Sequence, residues 1–269
     1  MKRCRIINRC ALLISISLFA IVSSVSAAQQ EGCFDNTRFC IVLTPNADNT
    51  QAVSAVRRIN LPVAVTVYSN SLHPSSHSSA FLNSNTPVAL GTVEHADTFW
   101  ENMRVKWTPG DVTAIHNEAI DYLPPLLPTS RYPIVQGFNG SFSHSGRSRY
   151  AIDFAVPIGT PVMAARGGIV IDTKSDGTAG GPSPDFAEHA NYVAVLHDDG
   201  TTGEYYHLKH NGVAVTRGQA INAGQLIGYS GNTGFSSLPH LHFGVYIAQF
   251  NGSYKSVPFS MPAYAIHSQ

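Results

Sequence analysis

Short alternating segments separated by turns fill the second half of the chain, and they constrain its fold more than any other feature. Six segments have the length and apolar pattern of strands, at residues 162–165, 168–171, 192–196, 204–208, 226–230 and 240–247. Asp199 and Gly200 supply the backbone dihedrals of a tight hairpin turn between two of them. Strings of the helix formers Ala, Leu, Glu and Lys are absent after the first thirty residues. The pattern predicts an all-β fold with antiparallel strands.

The first half also contains a run of short strand patterns, and we predict a β-sandwich-like domain there. Residues 39–44, 62–69 and 98–105 are candidate strands, with turn-rich stretches between them. Four prolines between residues 121 and 133 favour a semi-rigid linker, because proline fixes φ and removes a hydrogen-bond donor. We therefore predict an N-terminal β domain at residues 29–125 and a second domain at residues 126–269.

Residues 1–28 have the three-part layout of a secretory signal peptide. Four basic residues lie between Lys2 and Arg9, and an uncharged apolar stretch covers residues 11–22 before small residues lead to Ala28. About a dozen apolar residues are short for a hydrocarbon core of roughly 30 Å, so we do not expect a permanent membrane anchor. We predict cleavage after Ala27 or Ala28 and an exported product, periplasmic or secreted.

Removing this segment changes both the charge and the cysteine count. Lys and Arg fall from 17 to 13 while all 17 Asp and Glu remain, so the net charge is near −4, and a basic nucleic-acid surface is not expected. Cys33 and Cys40 remain as an even pair in an oxidising compartment. We predict a disulfide between them, with two free thiols as the alternative.

The strongest local signal for chemistry is the sequence His240-Leu241-His242-Phe243. In a strand, residues i and i+2 share a face, so the two histidines point to one side while Leu241 and Phe243 point to the core. Two adjacent imidazoles suit a metal, or a metal plus a catalytic base. Two surface histidines on a strand are the simpler alternative.

A histidine and an aspartate further upstream can complete a metal-binding set. Eight residues separate His144 from Asp153, which lies between two apolar residues of a predicted strand. A carboxylate there is costly unless it is paired or bound to a metal, although a turn or cap residue is the alternative. Catalytic zinc commonly has three protein ligands and one open position, and one histidine of the downstream pair would complete that number. His207 ends another strand, and it becomes a catalytic candidate only beside such a metal.

Taken in order along the chain, these segments resemble the lysostaphin-type (LytM-like) zinc endopeptidases. The matching segments lie at residues 143–154, 159–170, 191–193, 206–208, 218–219, 224–228, 231–234 and 239–243. The resemblance covers most of residues 134–260 and implies an antiparallel β catalytic domain with the duplicated hybrid motif fold. Two features depart from the family pattern: the long spacing from histidine to aspartate, and an insertion at residues 175–188 that we expect as a loop over or beside the groove.

The resemblance implies a zinc ion held by His144, Asp153 and His242, with His207 and His240 as catalytic histidines that do not bind the metal. It implies a metalloendopeptidase that hydrolyses peptide bonds in bacterial peptidoglycan. Two other function classes stay open. One is a catalytically inactive relative that acts as a cell-wall scaffold or activator, although such relatives usually lose metal residues. The other is a binding module, in which the N-terminal β region engages wall polymers or a partner protein.

Overall fold

The computed structural model describes residues 28–126 and 132–266 of the chain. The described residues form two β-rich units, each with its own hydrophobic core, and one short α-helix. This confirms the predicted all-β class. The signal segment predicted at residues 1–28 lies outside the described residues except for Ala28. Within residues 28–126 and 132–266, no helix has the length and apolar character needed to cross a membrane.

The first unit is a sandwich of two antiparallel sheets that share one core. Its strands are β1 (Gln30–Phe34), β2 (Phe39–Pro45), β3 (Gln51–Arg57), β4 (Val63–Tyr68), β5 (His77–Leu82), β6 (Val88–Val93) and β7 (Arg104–Pro109). One sheet has the strand order β1-β2-β3-β6 and the other β5-β4-β7. Alternate residues such as Ile41 and Leu43 from one sheet meet Val63 and Val65 from the other. A disulfide joins Cys33 to Cys40 across the β1–β2 hairpin, with a Cα–Cα distance of 4.0 Å.

The strand predicted at residues 98–105 is wrong. An α-helix, α1 (Ala96–Asn102), covers its first part, and β7 begins only at Arg104. Ala96, Phe99, Trp100 and Met103 all pack against the core of the sandwich. Their spacing of three to four residues is that of one helix face, and this period outweighs the strand-forming residue types in the segment.

The second unit is built on a ten-stranded sheet, called here the large sheet. The strands of the unit are β8 (Ile134–Gln136), β9 (Ala151–Ala155), β10 (Pro161–Met163), β11 (Gly168–Lys174), β12 (Gly180–Gly181), β13 (Asn191–Leu196), β14 (Thr202–Val213), β15 (Ala220–Ile221), β16 (Leu226–Ser230), β17 (Gly234–Phe235), β18 (His240–Ala248) and β19 (Tyr254–Val257). The main path of the large sheet is β15-β11-β13-β14-β18-β9-β8, with β10, β16 and β19 attached beside it. The short strands β12 and β17 pair in parallel.

Sequence periodicity sorts the two faces of the large sheet as predicted. Leu241, Phe243 and Val245 of β18 are fully buried in the core of the second unit, whereas His240 and His242 lie on the opposite face. The predicted hairpin turn also forms between β13 and β14, where His197 N–H donates to the carbonyl of Thr201 at 2.8 Å. Gly200 has a φ of 83° at this turn, a value that favours glycine.

The proline-rich segment before residue 127 packs against the second core. Tyr122 and Leu126 are both buried there, and Tyr122 N–H donates to the carbonyl of Ser260 at 2.8 Å. Residues 127–131, which contain Pro128, lie outside the described residues. The segment from Tyr122 onward therefore belongs with the second unit in packing terms.

Polar contacts join the sandwich to the large sheet. The buried guanidinium of Arg38 donates to the Ile171 carbonyl and to Asp172 Oδ1, both at 3.0 Å. Two hydroxyls of the sandwich donate to the turn between β18 and β19: Thr66 Oγ1 to the Phe250 carbonyl at 3.1 Å and Thr108 Oγ1 to the Gly252 carbonyl at 2.7 Å. A small apolar cluster that includes Leu61, Ile171 and Ala194 lies at the same junction.

Candidate metal centre

Three predicted side chains converge on one point on the face of the large sheet opposite its apolar core. We call the open space above this face the groove. Asp153 on β9 lies directly opposite His242 on β18 in the antiparallel pair, and His144 reaches them from the loop before β9. Asp153 Oδ1 is 3.1 Å from His144 Nε2 and 2.8 Å from His242 Nδ1. The two ring nitrogens are 3.3 Å apart, and all three side chains are buried. The structure thus brings the three predicted metal residues together.

The remaining polar atoms of this set are bound elsewhere. His144 Nδ1 donates to a main-chain carbonyl of the preceding loop at 2.8 Å. His242 Nε2 lies 2.9 Å from the Tyr246 hydroxyl, and Asp153 Oδ2 accepts from Gln136 Nε2 at 2.8 Å. The three atoms left over are two imidazole nitrogens and one carboxylate oxygen, which is a donor set that zinc prefers. The residues therefore fit the metal that the sequence implies.

The electrostatics of the centre favour an ionised Asp153. Burial raises the pKa of this carboxyl, but hydrogen bonds from His144 and His242 lower it, as do the nearby charges of His242 and His240. The lowering effects win, so the pKa of Asp153 lies well below its ordinary value. A deprotonated carboxylate is the form that binds a metal.

A second group of possible ligand atoms in the described part of the chain does not compete. It contains Glu31, Cys33 and Cys40. Its two sulfur atoms are joined in the disulfide of the β1–β2 hairpin, so neither is a thiolate that can bind a metal. The disulfide lies in the sandwich, whereas the histidine cluster lies on the large sheet.

The two predicted catalytic histidines stand beside the three convergent residues. The rings of His207 and His240 have centroids 4.4 Å apart, and His240 Nε2 is 3.7 Å from Asp153 Oδ1. His207 Nδ1 donates to the Thr233 carbonyl and His240 Nδ1 to the Leu238 carbonyl, both at 2.7 Å. With Nδ1 occupied in both rings, Nε2 is the nitrogen that can exchange a proton with a substrate or a water molecule.

Burial keeps both of these rings neutral. It lowers the pKa of His207 to about 3, and repulsion from His240 and His242, whenever those rings are protonated, acts in the same direction. Burial also lowers the pKa of His240, although the carboxylate of Asp153 partly opposes this shift. A neutral imidazole at pH 7 is the form that can accept a proton.

A β-bulge in β14 aims His207 at the groove. Tyr206 pairs with Tyr192, and Leu208 pairs with Asn191, so His207 is an extra residue without a partner in the β13–β14 register. Its φ is 65°, in the left-handed region that non-glycine residues rarely adopt. Consecutive strand residues normally point to opposite faces, yet Tyr206 and His207 both line the groove. The bulge resolves this conflict, as bulges beside active sites commonly do.

The insertion predicted at residues 175–188 lies beside the groove and is tied to this bulge. Asn191 is fully buried, and its amide accepts from Gly177 N–H at 2.7 Å and donates to the Gly177 carbonyl at 2.8 Å. The same amide nitrogen is 3.2 Å from the Leu208 carbonyl. Just after the insertion, Ala190 lines the groove together with Ala187. Loop, bulge and groove wall are thus held by one side chain.

Two phenylalanines divide the space above the centre. The rings of Phe142 and Phe235 have centroids 5.3 Å apart. On one side lies a cavity of about 390 Å³ that reaches His207 and His242. On the other lies a cavity of about 120 Å³ that reaches Asp153 and His240. An extended peptide crossing the centre would therefore pass this aromatic pair.

Sequence reasoning missed two residues that orient the convergent set. Tyr246 contacts His242 and is four residues after it on the same face of β18, so the period of two contained the signal. Gln136 holds both Asp153 and the hydroxyl of Ser143, the latter at 2.8 Å. It belongs to a strand of three residues, which is too short to show a period.

Residues 147–255 match Peptidase family M23. The matched residues make up most of the second unit. The match includes Asp153, His207, His240 and His242, and it begins three residues after His144. The match to a peptidase family confirms the predicted enzyme class.

Named relatives are similar to the same part of the chain. Lysostaphin from Staphylococcus staphylolyticus is 35% identical over 123 residues, which are 45% of this chain and 22% of that protein. Peptidoglycan DD-endopeptidase ShyA from Vibrio cholerae is 36% identical over 118 residues, which are 42% of this chain and 25% of that protein. The chain spans a quarter or less of these two relatives. The solved catalytic domain of lysostaphin from Staphylococcus simulans is 30% identical, with 46% of this chain and 88% of that one covered at a TM-score of 0.36. The sequence matches confirm the resemblance to lysostaphin-type endopeptidases.

Proposed function

We propose that this chain is an exported, zinc-dependent metalloendopeptidase that hydrolyses peptide bonds in bacterial peptidoglycan. The observation that carries the proposal is the convergence of three ligand atoms within 3.3 Å of one another, beside two neutral histidines. One relative is by name a peptidoglycan DD-endopeptidase, and another is by name a glycyl-glycine endopeptidase. These names support the substrate class, and the bond that is cut is left to experiment.

The proposed chemistry follows from the roles that the geometry offers. Zinc held by His144, Asp153 and His242 would polarise the scissile carbonyl and acidify a water molecule beside it, towards a pKa of about 7. His240 or His207 takes the proton of the attacking water through Nε2. The histidine that accepted this proton later returns it from Nε2 to the leaving amine. The other histidine would stabilise the developing oxyanion together with the metal once its own Nε2 is protonated. In this proposal a histidine, and not a glutamate, is the general base. Proton transfer by a positioned side chain typically raises the rate about 10²–10⁴-fold.

The sandwich is proposed as a separate domain with a supporting role. We place the boundary upstream of Tyr122, because that side chain packs in the core of the second unit. The two cavities above the metal centre are lined by residues of the second unit. An inactive scaffold is not favoured, since all five histidine and aspartate side chains are present and assembled.

Zinc analysis tests the ligand assignment directly. The purified chain without residues 1–28 should bind close to one zinc ion, and Asp153→Ala should lose most of it, together with hydrolysis of purified peptidoglycan. The matched control is Asp97→Ala, on the exposed first turn of α1, which should keep both. Full zinc content in Asp153→Ala would overturn the ligand set. Mass spectrometry of the released fragments identifies the bond.

The export proposal has its own test. N-terminal sequencing of protein from the periplasm or the medium should start near Ala28 or Gln29. Membrane-bound protein that retains Met1 would instead identify residues 1–28 as an anchor. This result is independent of zinc content and of hydrolysis.

A further inference from the structure

The groove face of the large sheet continues from the metal centre towards the sandwich. Tyr206 lies opposite His242, and two residues away along the same strands Glu204 lies opposite Gly244. On its other side Glu204 pairs with Ala194. Both neighbours of Glu204 in the sheet are small residues. A Cβ on Gly244 would lie 2.7 Å from the ring of Tyr246, so a larger residue does not fit there.

A cavity of about 200 Å³ occupies this space, at the junction of the two units. We call it the junction cavity and define it by Trp107, Tyr192, Glu204, Tyr206 and Tyr254. One water molecule needs roughly 10–15 Å³ by a comparable measure, so the cavity has room for the end of a side chain. Tyr206 and Tyr254 also line the groove above the metal centre. The junction cavity is therefore a direct neighbour of the proposed active site.

The charges around the junction cavity are unbalanced at one residue. Asp172 is neutralised by Arg38, at 3.0 Å, and by Arg217. Glu204 accepts from the Tyr206 hydroxyl at 2.8 Å and from the Thr202 hydroxyl at 3.1 Å. Within residues 28–126 and 132–266, no lysine, arginine or histidine forms an ion pair with it.

A buried carboxylate without a counter-ion is unfavourable in its charged form. Burial accordingly raises the pKa of Glu204 to about 7, although its two hydroxyl partners oppose the shift. A cation that enters the junction cavity would supply the missing charge. Four aromatic side chains line the junction cavity, and aromatic rings attract cations at their faces.

We propose that the junction cavity binds the primary ammonium group of the peptide substrate, with Glu204 as its counter-ion and the aromatic side chains as its walls. A compact ammonium suits a carboxylate whose two oxygens each already accept one hydrogen bond. A guanidinium favours a free bidentate carboxylate, and a hard metal ion favours several oxygen ligands instead of rings.

The position of the junction cavity locates this ammonium on the substrate. Glu204 is two residues along and one strand across from His242, which is roughly 8 Å in the plane of the sheet. An extended peptide advances about 3.3 Å per residue, so the ammonium belongs to a residue within about two or three positions of the cleaved bond. The identity of the ligand as substrate rests on the proposed function, whereas cation binding in the junction cavity does not.

The first experiment tests cation binding without catalysis. Calorimetry on the zinc-loaded chain would compare n-butylammonium with uncharged n-pentanol, since neither contains a bond to hydrolyse. Wild type should bind the ammonium and not the alcohol, and Glu204→Gln should weaken binding by about tenfold or more, because a charge-assisted contact is lost. Glu101→Gln, at an exposed glutamate in the last turn of α1, is the matched control. Equal ammonium binding by Glu204→Gln and wild type would overturn the proposal.

Variants in the sandwich keep the test decisive if Glu204→Gln does not fold. Trp107→Ala should weaken n-butylammonium binding, and Trp107→Phe should retain most of it, since a phenyl ring still offers a π face. Equal binding by wild type and Trp107→Ala would contradict the assignment of the aromatic wall.

The second experiment assigns the ammonium to the substrate. Acetylating the amine of an ammonium-bearing peptide released from peptidoglycan should raise KM about tenfold for wild type, and should change it little for Glu204→Gln. A wild-type KM that ignores acetylation would overturn the substrate assignment. If no peptide is hydrolysed at all, the proposed function fails while the calorimetry still decides whether the junction cavity binds a cation.

Discussion

The sandwich and the large sheet use the same strand periodicity for different ends. Within the described residues 28–110, no histidine, aspartate or glutamate is buried, and the interior is filled by apolar side chains from both sheets. The large sheet buries an equally apolar core on one face, but its other face buries Asp153, Glu204 and several histidines. Burying such groups is costly unless they are paired. Asp153 is paired with two histidines, whereas Glu204 has no counter-ion among the described residues and bears this cost. The interior of the sandwich thus serves stability, whereas the polar face of the large sheet carries the candidate active site.

The largest expected effects come from the histidines of the polar face, and they differ between His240 and His242 on the same strand. His240→Ala should keep nearly all zinc and lower kcat by roughly 10²–10⁴-fold, because a proton-transferring group is lost. His207→Ala should behave alike, and the double variant should lose less than the product of the two effects. His242→Ala should lose both zinc and activity. Zinc content measured beside hydrolysis rates distinguishes these outcomes.

A histidine on the sandwich provides the control for this series. His95, which is exposed before α1, should change neither zinc nor rate when replaced by alanine. If His240→Ala released the metal while His242→Ala retained it, the assignment of the two side chains would be reversed.

A core substitution in the sandwich should show the opposite behaviour. Phe99→Ala removes a fully buried ring of α1 and should lower the free energy of unfolding by about 3–5 kcal/mol. Zinc content and kcat of the folded fraction should stay unchanged, because the residue belongs to the other unit. Urea unfolding followed by circular dichroism gives the stability, and Leu123→Ala, at a 49% exposed side chain, is the control. A large fall in kcat without a loss of stability would break the comparison.

The smallest of the three effects concerns the cost of the polar face itself. The pKa of Glu204 is raised by burial to about 7 in the folded chain, from 4.5 as the ordinary value. The folded state then holds the proton more tightly, so stability is highest below pH 4.5 and falls as the pH rises to about 7. A shift of this size corresponds to about 3 kcal/mol of unfolding free energy.

Glu204→Gln should remove this decline, because glutamine does not titrate. The quantity to measure is the difference in unfolding free energy between wild type and variant, at pH 4.5 and again at pH 8, so that other titrating groups cancel. The wild type should lose about 3 kcal/mol relative to the variant between the two conditions. A difference that is the same at both pH values would show that the buried carboxylate costs nothing.

Local periodicity was sufficient to predict the strand that carries the histidine pair. The alternating pattern predicts a strand over residues 240–247, and β18 extends over His240–Ala248 with the expected faces. The hairpin at Gly200 was predictable for the same reason, since its signal is contained in a few adjacent residues. Helix α1 shows the limit of this approach. Its aromatic residues suggest a strand by type, and only their spacing of three to four residues indicates a helix.

The position of His207 was beyond such reasoning. Its orientation depends on a bulge opposite Asn191, and a bulge is a property of two paired strands and not of one. Asn191 and Thr233 hold this bulge through contacts that span 17 and 25 residues to the Leu208 carbonyl. The same applies to Gln136, which reaches Asp153 across 17 residues. Family resemblance supplied the identity of His207, and the pairing of strands explains its direction.

The hydroxyls of Thr66 and Thr108 donate hydrogen bonds to the turn that follows β18. Through these contacts the sandwich supports a strand of the second unit. The turn is anchored at one end of β18, and the histidine pair lies at the other end, eight residues and roughly 26 Å away. The sandwich thus holds β18 in place at the end that is remote from the histidine pair. Removing the sandwich would release that end and also uncover Leu61's apolar partners Ile171 and Ala194. Reduced activity in a chain without the sandwich would therefore have two sources. One is the lost support for β18, and the other is the loss of any targeting by the sandwich.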